Sequence, residues 1–402
     1  MKVLIYYKEN ELHPVGGPTG YLYNLRNELI KEKINFIFFL SYNANSRREK
    51  AKKIFKKLPK SFQNIFYSLK RKPYMILNSS PKKSEINLGE FDFVHFHSTM
   101  QMYSCKDSLE NYKGILLLTS HTPKAPFKEI IEDNISNSEY FSNKKMYDQL
   151  ENVDLYAFNR ADYIIFPTKE AEEPYYHTWN KYKEIHEKNK DKYIYIPTGI
   201  APIDTSSFSK NAIRKEYNIP QDAFVVCYVG RHNEVKGYDQ LKKIGENILK
   251  KRNDIYFLIA GKEEPLKGID NSHWIEVGWT NKAHEIIYSS DVFVLPNKET
   301  YFDLILLEVM SIGKPVVLTN TGGNKYFKKF TKSGLHYYDY GKNDDAVEKI
   351  LRLKDNNKID EEGKLNKEIF NNNFTIEIFT KKYIETIEKI YKSKKRSEKC
   401  EK

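Results

Sequence analysis

The chain has 402 residues, a formal charge of +12, and 40% apolar and 14% aromatic residues. This length exceeds one compact core and points to two domains, and the apolar fraction suits a globular protein. Three cysteines, Cys105, Cys227 and Cys400, share no metal-ligand spacing and make an odd number, so they read as reduced thiols of a cytosolic protein rather than as a disulfide frame.

No apolar run approaches the roughly 18 residues of a membrane span. The opening "MKVLIYYKE" reads as a short buried strand without a signal-peptide cleavage pattern. A Gly-rich turn, "HPVGGPTG", and a helix, "YLYNLRNELIKEK", follow, with Leu22, Leu25 and Leu29 at helical spacing. After the strand "NFIFFL" comes the segment 46–72, which holds eleven Lys or Arg against one acid, Glu49, and supplies +10 of the charge. Apolar residues from Ile54 to Leu69 recur among these cations at roughly helical spacing. Such a helix can lie on an anionic membrane surface or pack on its own domain. No recognised nucleic-acid module accompanies the charge, so nucleic acid is not expected as a partner.

The strands "FDFVHFH", "GILLLTSH", "DYIIFPT" and "YIYIPTG" complete the first half. Each is a short apolar run ending in polar or Gly/Pro residues, as parallel strands do when their C-terminal ends face a site. His95 and His97 alternate at one such end, where one is expected to line a cleft and the other to pack, with no metal role. The Tyr-rich stretches 125–160 and 172–192 read as helical insertions, and in the aromatic-rich region 137–180 Tyr140, Phe141, Tyr147, Tyr156 and Tyr175 are expected mostly to pack on helices and otherwise to stack on sugar rings. The grammar then restarts with "AFVVCYVGRHNEVKG" and continues through "IYFLIAG", "HWIEVGW", "DVFVLPN", "PVVLTN" and "LHYYD". Alternating strands and helices with a restart argue for an α/β chain of two doubly wound Rossmann-like domains, 1–207 and 208–374. Their strand ends would face a cleft. The amphipathic segment 375–395 is expected to return to the first domain.

The chemistry concentrates in the second half. Gly230 permits a tight turn, and Arg231 and Lys236 place two cations over one strand end, an arrangement suited to a diphosphate. The bland alternative is a loop with two solvated cations. His232 beside them is a further candidate for substrate contact. In "PNKETYFDLILLEVMSIGKPVVLTNTGGN" (296–324) a helix begins near Glu299, Thr300 or Asp303, and its N-terminus offers free N–H groups to an anion. Leu304, Leu307 and Met310 take the core face. Glu308 sits mid-helix among apolar residues and must pair with a cation or accept from hydroxyls such as a ribose's. No D-x-D motif occurs, so no metal or other cofactor is expected.

Together, "GRHNEVKG" and the 296–324 stretch resemble the nucleotide-sugar half of the GT-B glycosyltransferases of family 4, and "GGPTG" and "LLLTSHTP" are similar to its acceptor half. The resemblance implies a nucleotide-diphosphate sugar as donor and a saccharide or lipid-linked saccharide as acceptor. It also implies a retaining mechanism and a role in bacterial surface polysaccharide or glycoconjugate synthesis. Arg231 and Lys236 would hold the donor diphosphate, Glu308 would contact the ribose, and His121 would lie near the donor sugar. Gly16, Gly17 and Gly230 would allow close backbone approach, and Thr300, Tyr301, Phe302 and Leu304 would line the donor turn. His97 and Thr19 fall on the acceptor side. In this sequence the first glutamate of the family's E-x7-E pattern is replaced by Thr300. Glu299 stands one residue early and Asp303 occupies a usual glycine position, so both are candidates for the sugar contact. Alternatives are another GT-B enzyme, such as a nucleotide-sugar epimerase, or an inactive partner subunit. The expected location is cytoplasmic, with peripheral placement on the inner membrane face through 46–72.

Overall fold

The computed structural model describes residues 1–8, 11–14, 17–40, 59, 84, 86–134 and 144–400. The basic segment 46–72 lies, but for Pro59, outside the described residues, as do Gly16, Tyr140 and Phe141. The chain divides into two compact units. The first comprises Met1–Phe166, Tyr175–Tyr195 and Thr386–Lys402, and the second Pro167–Pro174 and Ile196–Glu385.

The first unit holds a six-stranded parallel sheet, β1 (Val3–Tyr6), β2 (Ile37–Phe39), β3 (Phe93–Phe96), β4 (Ile115–Leu118), β5 (Tyr163–Phe166) and β6 (Tyr193–Tyr195), in the order β2-β1-β3-β4-β5-β6. β1, β3 and β4 are buried throughout, which is why they read as unbroken apolar runs rather than as alternation. Helix α1 (Gly17–Lys31) follows β1 and buries Tyr21, Leu22, Leu25 and Leu29. The stretches read as insertions form α2 (Pro126–Asn134), α3 (Lys144–Arg160) and α4 (Tyr182–Asn189). Their aromatics pack with one another: Phe127, Phe158, Tyr175, Trp179 and Tyr182 form one cluster of edge-on and tilted ring contacts, all but excluded from solvent.

In the second unit the strands are β7 (Phe224–Val229), β8 (Ile255–Ala260), β9 (Trp274–Gly278), β10 (Val292–Leu295), β11 (Val316–Thr319) and β12 (Leu335–Tyr338). They form a parallel sheet of order β12-β11-β10-β7-β8-β9. The strand order reverses direction between β7 and β10, the doubly wound pattern in which ligands bind at carboxyl ends. Helices α5 (Tyr238–Leu249), α6 (Ala283–Ser289), α7 (Leu304–Ile312), α8 (Asn343–Asn356), α9 (Ile359–Asn373) and the start of α10 (Ile376–Cys400) complete the unit. One core cluster gathers Leu306, Leu307, Met310, Leu295, Leu318 and Phe370; another gathers Val226, Leu241, Ile244, Val294 and Ile350, so apolar packing covers both sheet faces.

The units interleave along the chain, with Pro167–Pro174 and Ile196–Glu385 in the second. Ile200 bridges to Thr375, its N–H donating to Phe374 O at 3.0 Å and its carbonyl accepting from Ile376 N at 2.9 Å, and this ties the linker to the second unit. Glu173 accepts from Gly322 N at 3.2 Å and pairs with Lys325, which places 167–174 there as well. From Thr386 onward α10 belongs to the first unit, where Tyr391 packs on Phe93 and Lys394 Nζ donates to Lys113 O. Among the described residues no helix is long and apolar enough to cross a membrane.

Candidate functional site

In the second unit the polar residues cluster just beyond β7 and β10. Gly237 closes the loop after β7 in a left-handed conformation (φ 68°), and a Cβ there would lie 1.8 Å from Pro296 O. Only glycine allows the β7–α5 loop to lie against the end of β10. That approach brings Lys236 Nζ to 2.5 Å from Asp303 Oδ2, while Asn297 Nδ2 donates to the same oxygen at 2.8 Å. Burial by itself pushes the Asp303 carboxyl up, but the Lys236 ammonium and the hydrogen bonds from Lys236 and Asn297 outweigh it, so the carboxyl is held below its ordinary range. Lys236 is therefore not the solvated cation of the bland reading. It stands paired at the start of α7, with Asp303 as the residue preceding the first helical one.

Arg231 is exposed at the same strand end, and among the described residues no carboxylate pairs with it. Its loop is pinned by Tyr228 Oη, which donates to Arg231 O at 2.8 Å. His232 does not share that exposure. It is fully buried and stacked on Tyr238 with centroids 3.9 Å apart, and its Nε2 lies 3.8 Å from Glu276 Oε2. Burial lowers it to about 4, so it is a neutral core residue and not a surface contact.

The remaining residues of the 296–324 stretch separate by depth. Thr300 is buried and its carbonyl accepts from Gly323 N at 3.2 Å. A Cβ on Gly322 would meet Thr300 O at 2.1 Å, so the Gly-Gly turn exists to let two backbones touch. Phe302 stacks on Phe327 at 5.5 Å, and Leu304 packs against the same core cluster. Phe302 is buried and Leu304 half-buried, and α7 begins at Leu304, directly after Asp303. Glu299 and Tyr301 are half-buried beside them. Glu308 is half-exposed and not sealed in the core as its apolar neighbours imply. His284 on α6 approaches it, Nε2 to Oε2 at 3.1 Å.

In the first unit a second polar cluster lies past β3 and β4. His97 Nδ1 and His121 Nε2 are 2.8 Å apart, and His95 Nε2 is 3.0 Å from Thr119 Oγ1. Tyr21 of α1 meets His121 edge-on at 4.8 Å. His95 and His97 are both buried, at 0% and 1% exposure. Residues two apart on a strand share a face, and the His95 and His97 rings stand with centroids 4.0 Å apart at the end of β3. His121 adopts φ 63°, unusual for a non-glycine residue, and Tyr175 Oη hydrogen-bonds both flanking hydroxyls, Ser120 and Thr122. Gly17 and Thr19 occupy the first turn of α1. Among the described residues no cluster has the makings of a metal site.

Asn297, His284 and Tyr21 lay outside the sequence reading, and Tyr175 was read only as a packing or stacking aromatic. Asn297 had a signal, being the first polar residue after the apolar run of β10. The others are brought in from elements 24 or more residues away from their partners, which no local pattern records.

Residues 209–373 match the family model described as glycosyl transferases group 1. The glycogen synthase of Anoxybacillus flavithermus is 26% identical over 168 residues, covering 38% of this chain and 35% of that protein. The O-antigen biosynthesis glycosyltransferase WclY of Escherichia coli is 28% identical over 155 residues, covering 33% of this chain and 41% of that one. The match thus spans well under half the length of these curated relatives. Solved structures align over nearly the whole chain. Sucrose-phosphate synthase from Thermosynechococcus elongatus has a TM-score of 0.62 at 16% identity, covering 98% of this chain and 99% of its own. Anabaena HepE, solved in complex with UDP and glucose, has a TM-score of 0.62 at 13% identity, covering 97% and 100%. Residues 209–373 are thus similar to glycosyl transferases group 1, on a chain that shares the GT-B fold of these solved structures.

Proposed function

We propose that this chain transfers a sugar from a nucleoside-diphosphate donor to a saccharide acceptor, free or lipid-linked, in the assembly of a surface glycan. The observation that carries the reading is the group beyond β7 and β10, with Arg231 open to solvent and Lys236 poised beside Asp303 at the N-terminal end of a nine-residue helix. Glycosyl transfer builds negative charge on the departing diphosphate. Preorganised cations and N–H groups are what stabilise it, each such donor typically being worth about 2.7–4 kcal/mol. On this reading Arg231 and Lys236 neutralise the leaving group without a metal ion. Glu308 accepts from the ribose hydroxyls, exchanging or sharing its His284 contact. Trp279, 81% exposed just past β9, offers an aromatic face of the kind on which bases stack. The relatives support the substrate class: WclY is an O-antigen biosynthesis glycosyltransferase, and HepE was solved with UDP and glucose. A retaining outcome follows from the resemblance. Glu299 is the carboxylate assigned to the donor sugar, since Asp303 is committed to Lys236.

The test is a thermal-shift panel of nucleoside diphosphates and nucleotide sugars, followed by turnover of the donor that binds. A ligand at a hundred times its dissociation constant adds about 2.7 kcal/mol. One base is expected to shift the transition and the others are not. Absence of any shift across the panel would count for an inactive partner subunit.

A further inference from the structure

The histidine cluster of the first unit carries more than burial. His97 and His121 share a single hydrogen between Nδ1 of one and Nε2 of the other, 2.8 Å apart. Burial keeps the rings neutral: His95 and His121 are lowered to about 3, and His97 lies well below its ordinary value through burial and repulsion from the other two. Each neutral ring has one N–H and one lone pair. If His121 were the donor, His97 would have to carry its own proton on Nε2. That atom is buried and, among the described residues, has no hydrogen-bond partner. A buried N–H without an acceptor is among the rarest features of folded proteins, whereas a bare acceptor is tolerated more often. The arrangement with fewer unmet donors has His97 donating from Nδ1.

We propose that His97 is a positioning residue for His121: it donates to Nε2 and so fixes His121 as the tautomer whose proton sits on Nδ1, making that nitrogen the ring's hydrogen-bond donor. His121 is locked for this purpose at two further points. Its backbone is held at φ 63° between Ser120 and Thr122, both bonded to the buried Tyr175 hydroxyl, and Tyr21 closes on its ring. The consequence for catalysis rests on the reading that His121 contacts substrate. An Nδ1–H offers a donor to a sugar hydroxyl or phosphate oxygen, and the opposite tautomer would present a lone pair.

Long-range proton–nitrogen correlation spectra of the full chain labelled with nitrogen-15 histidine read each ring nitrogen directly, with assignments from single-histidine replacements. At neutral pH His121 is expected to show a protonated Nδ1 and a bare Nε2. His97→Asn retains an amide donor and should preserve that pattern with most of the turnover. His97→Asp offers only an acceptor, and should move the proton to Nε2 and lower kcat about 10²-fold with a much smaller change in KM. A wild-type His121 protonated on Nε2, or an unchanged tautomer in His97→Asp, would overturn the proposal. If His97→Asp does not fold, the wild-type spectrum still decides. The spectra need no substrate, so the expected tautomer in a chain that turns over no nucleotide sugar would sink the transferase reading and leave the assignment of His97 standing.

Discussion

At the scale of single residues, Arg231 and Lys236 look alike in sequence and differ in circumstance. Lys236 is half-buried and held by Asp303, whereas Arg231 is exposed and uncommitted among the described residues. Replacing each should therefore do different things. Arg231→Ala removes charge-assisted hydrogen bonds worth roughly 1.5–3 kcal/mol to a bound diphosphate, so its dissociation constant should rise between about tenfold and a hundredfold by titration calorimetry. Its ligand-free melting temperature should hardly move, because exposed substitutions away from special features stay within about 0.5 kcal/mol. A large loss of stability with unchanged affinity would remove Arg231 from the donor site. The polar residues at this site were legible because they interrupt apolar runs. Their pairing was not: Lys236 and Asp303 are 67 positions apart, and nothing local distinguishes a committed cation from a free one.

The junctions between elements decide where those side chains stand. The β7–α5 loop is the clearest case, since Gly237 meets the end of β10 at a distance no Cβ could occupy. Gly237→Ala should cost about 2–4 kcal/mol, combining the left-handed penalty with displacement of the Pro296 carbonyl, read as a lower urea midpoint of the second unit. It should also loosen the Lys236–Asp303 contact and weaken nucleotide binding in parallel. An alanine variant as stable as the parent would mean that the loop has another packing. The strands themselves were plain from their apolar runs, and the turn glycines from composition. The start of α7 was readable only to within a few residues: Glu299, Thr300 and Asp303 were candidates, and the helix begins at Leu304.

For the molecule as a whole, the buried histidines set an acid limit. His95, His97 and His121 stay neutral when folded but regain an ordinary value of 6.5 when unfolded. The unfolded chain then binds more protons, and stability is complete above pH 6.5 and falls as pH drops toward 3. Each ring contributes a slope of up to about 1.4 kcal/mol per pH unit. Asp154 opposes this. Burial, against hydrogen bonds from Thr99 and the Phe127 amide, raises it to about 7, so it favours the folded state as pH falls toward its unfolded value. With three groups against one, the urea midpoint of the first unit should be clearly lower at pH 5 than at pH 7.5. An equal midpoint would show that the rings are solvated.

The sequence by itself determined the two α/β halves, their parallel strands and the polar residues at the strand ends. These depend on periodicity and on local breaks in apolar runs, and both are written within a few positions of the residues concerned. Only the tertiary structure decided which of those polar residues are paired, buried or open. It buried His232 and His97, left Glu308 half-exposed beside His284, bound Lys236 to Asp303, and brought Tyr175 to both neighbours of His121. Each of these contacts joins residues that only the folding of the sheets brings within hydrogen-bond reach, and burial is a property of the neighbours a residue acquires rather than of the residue itself.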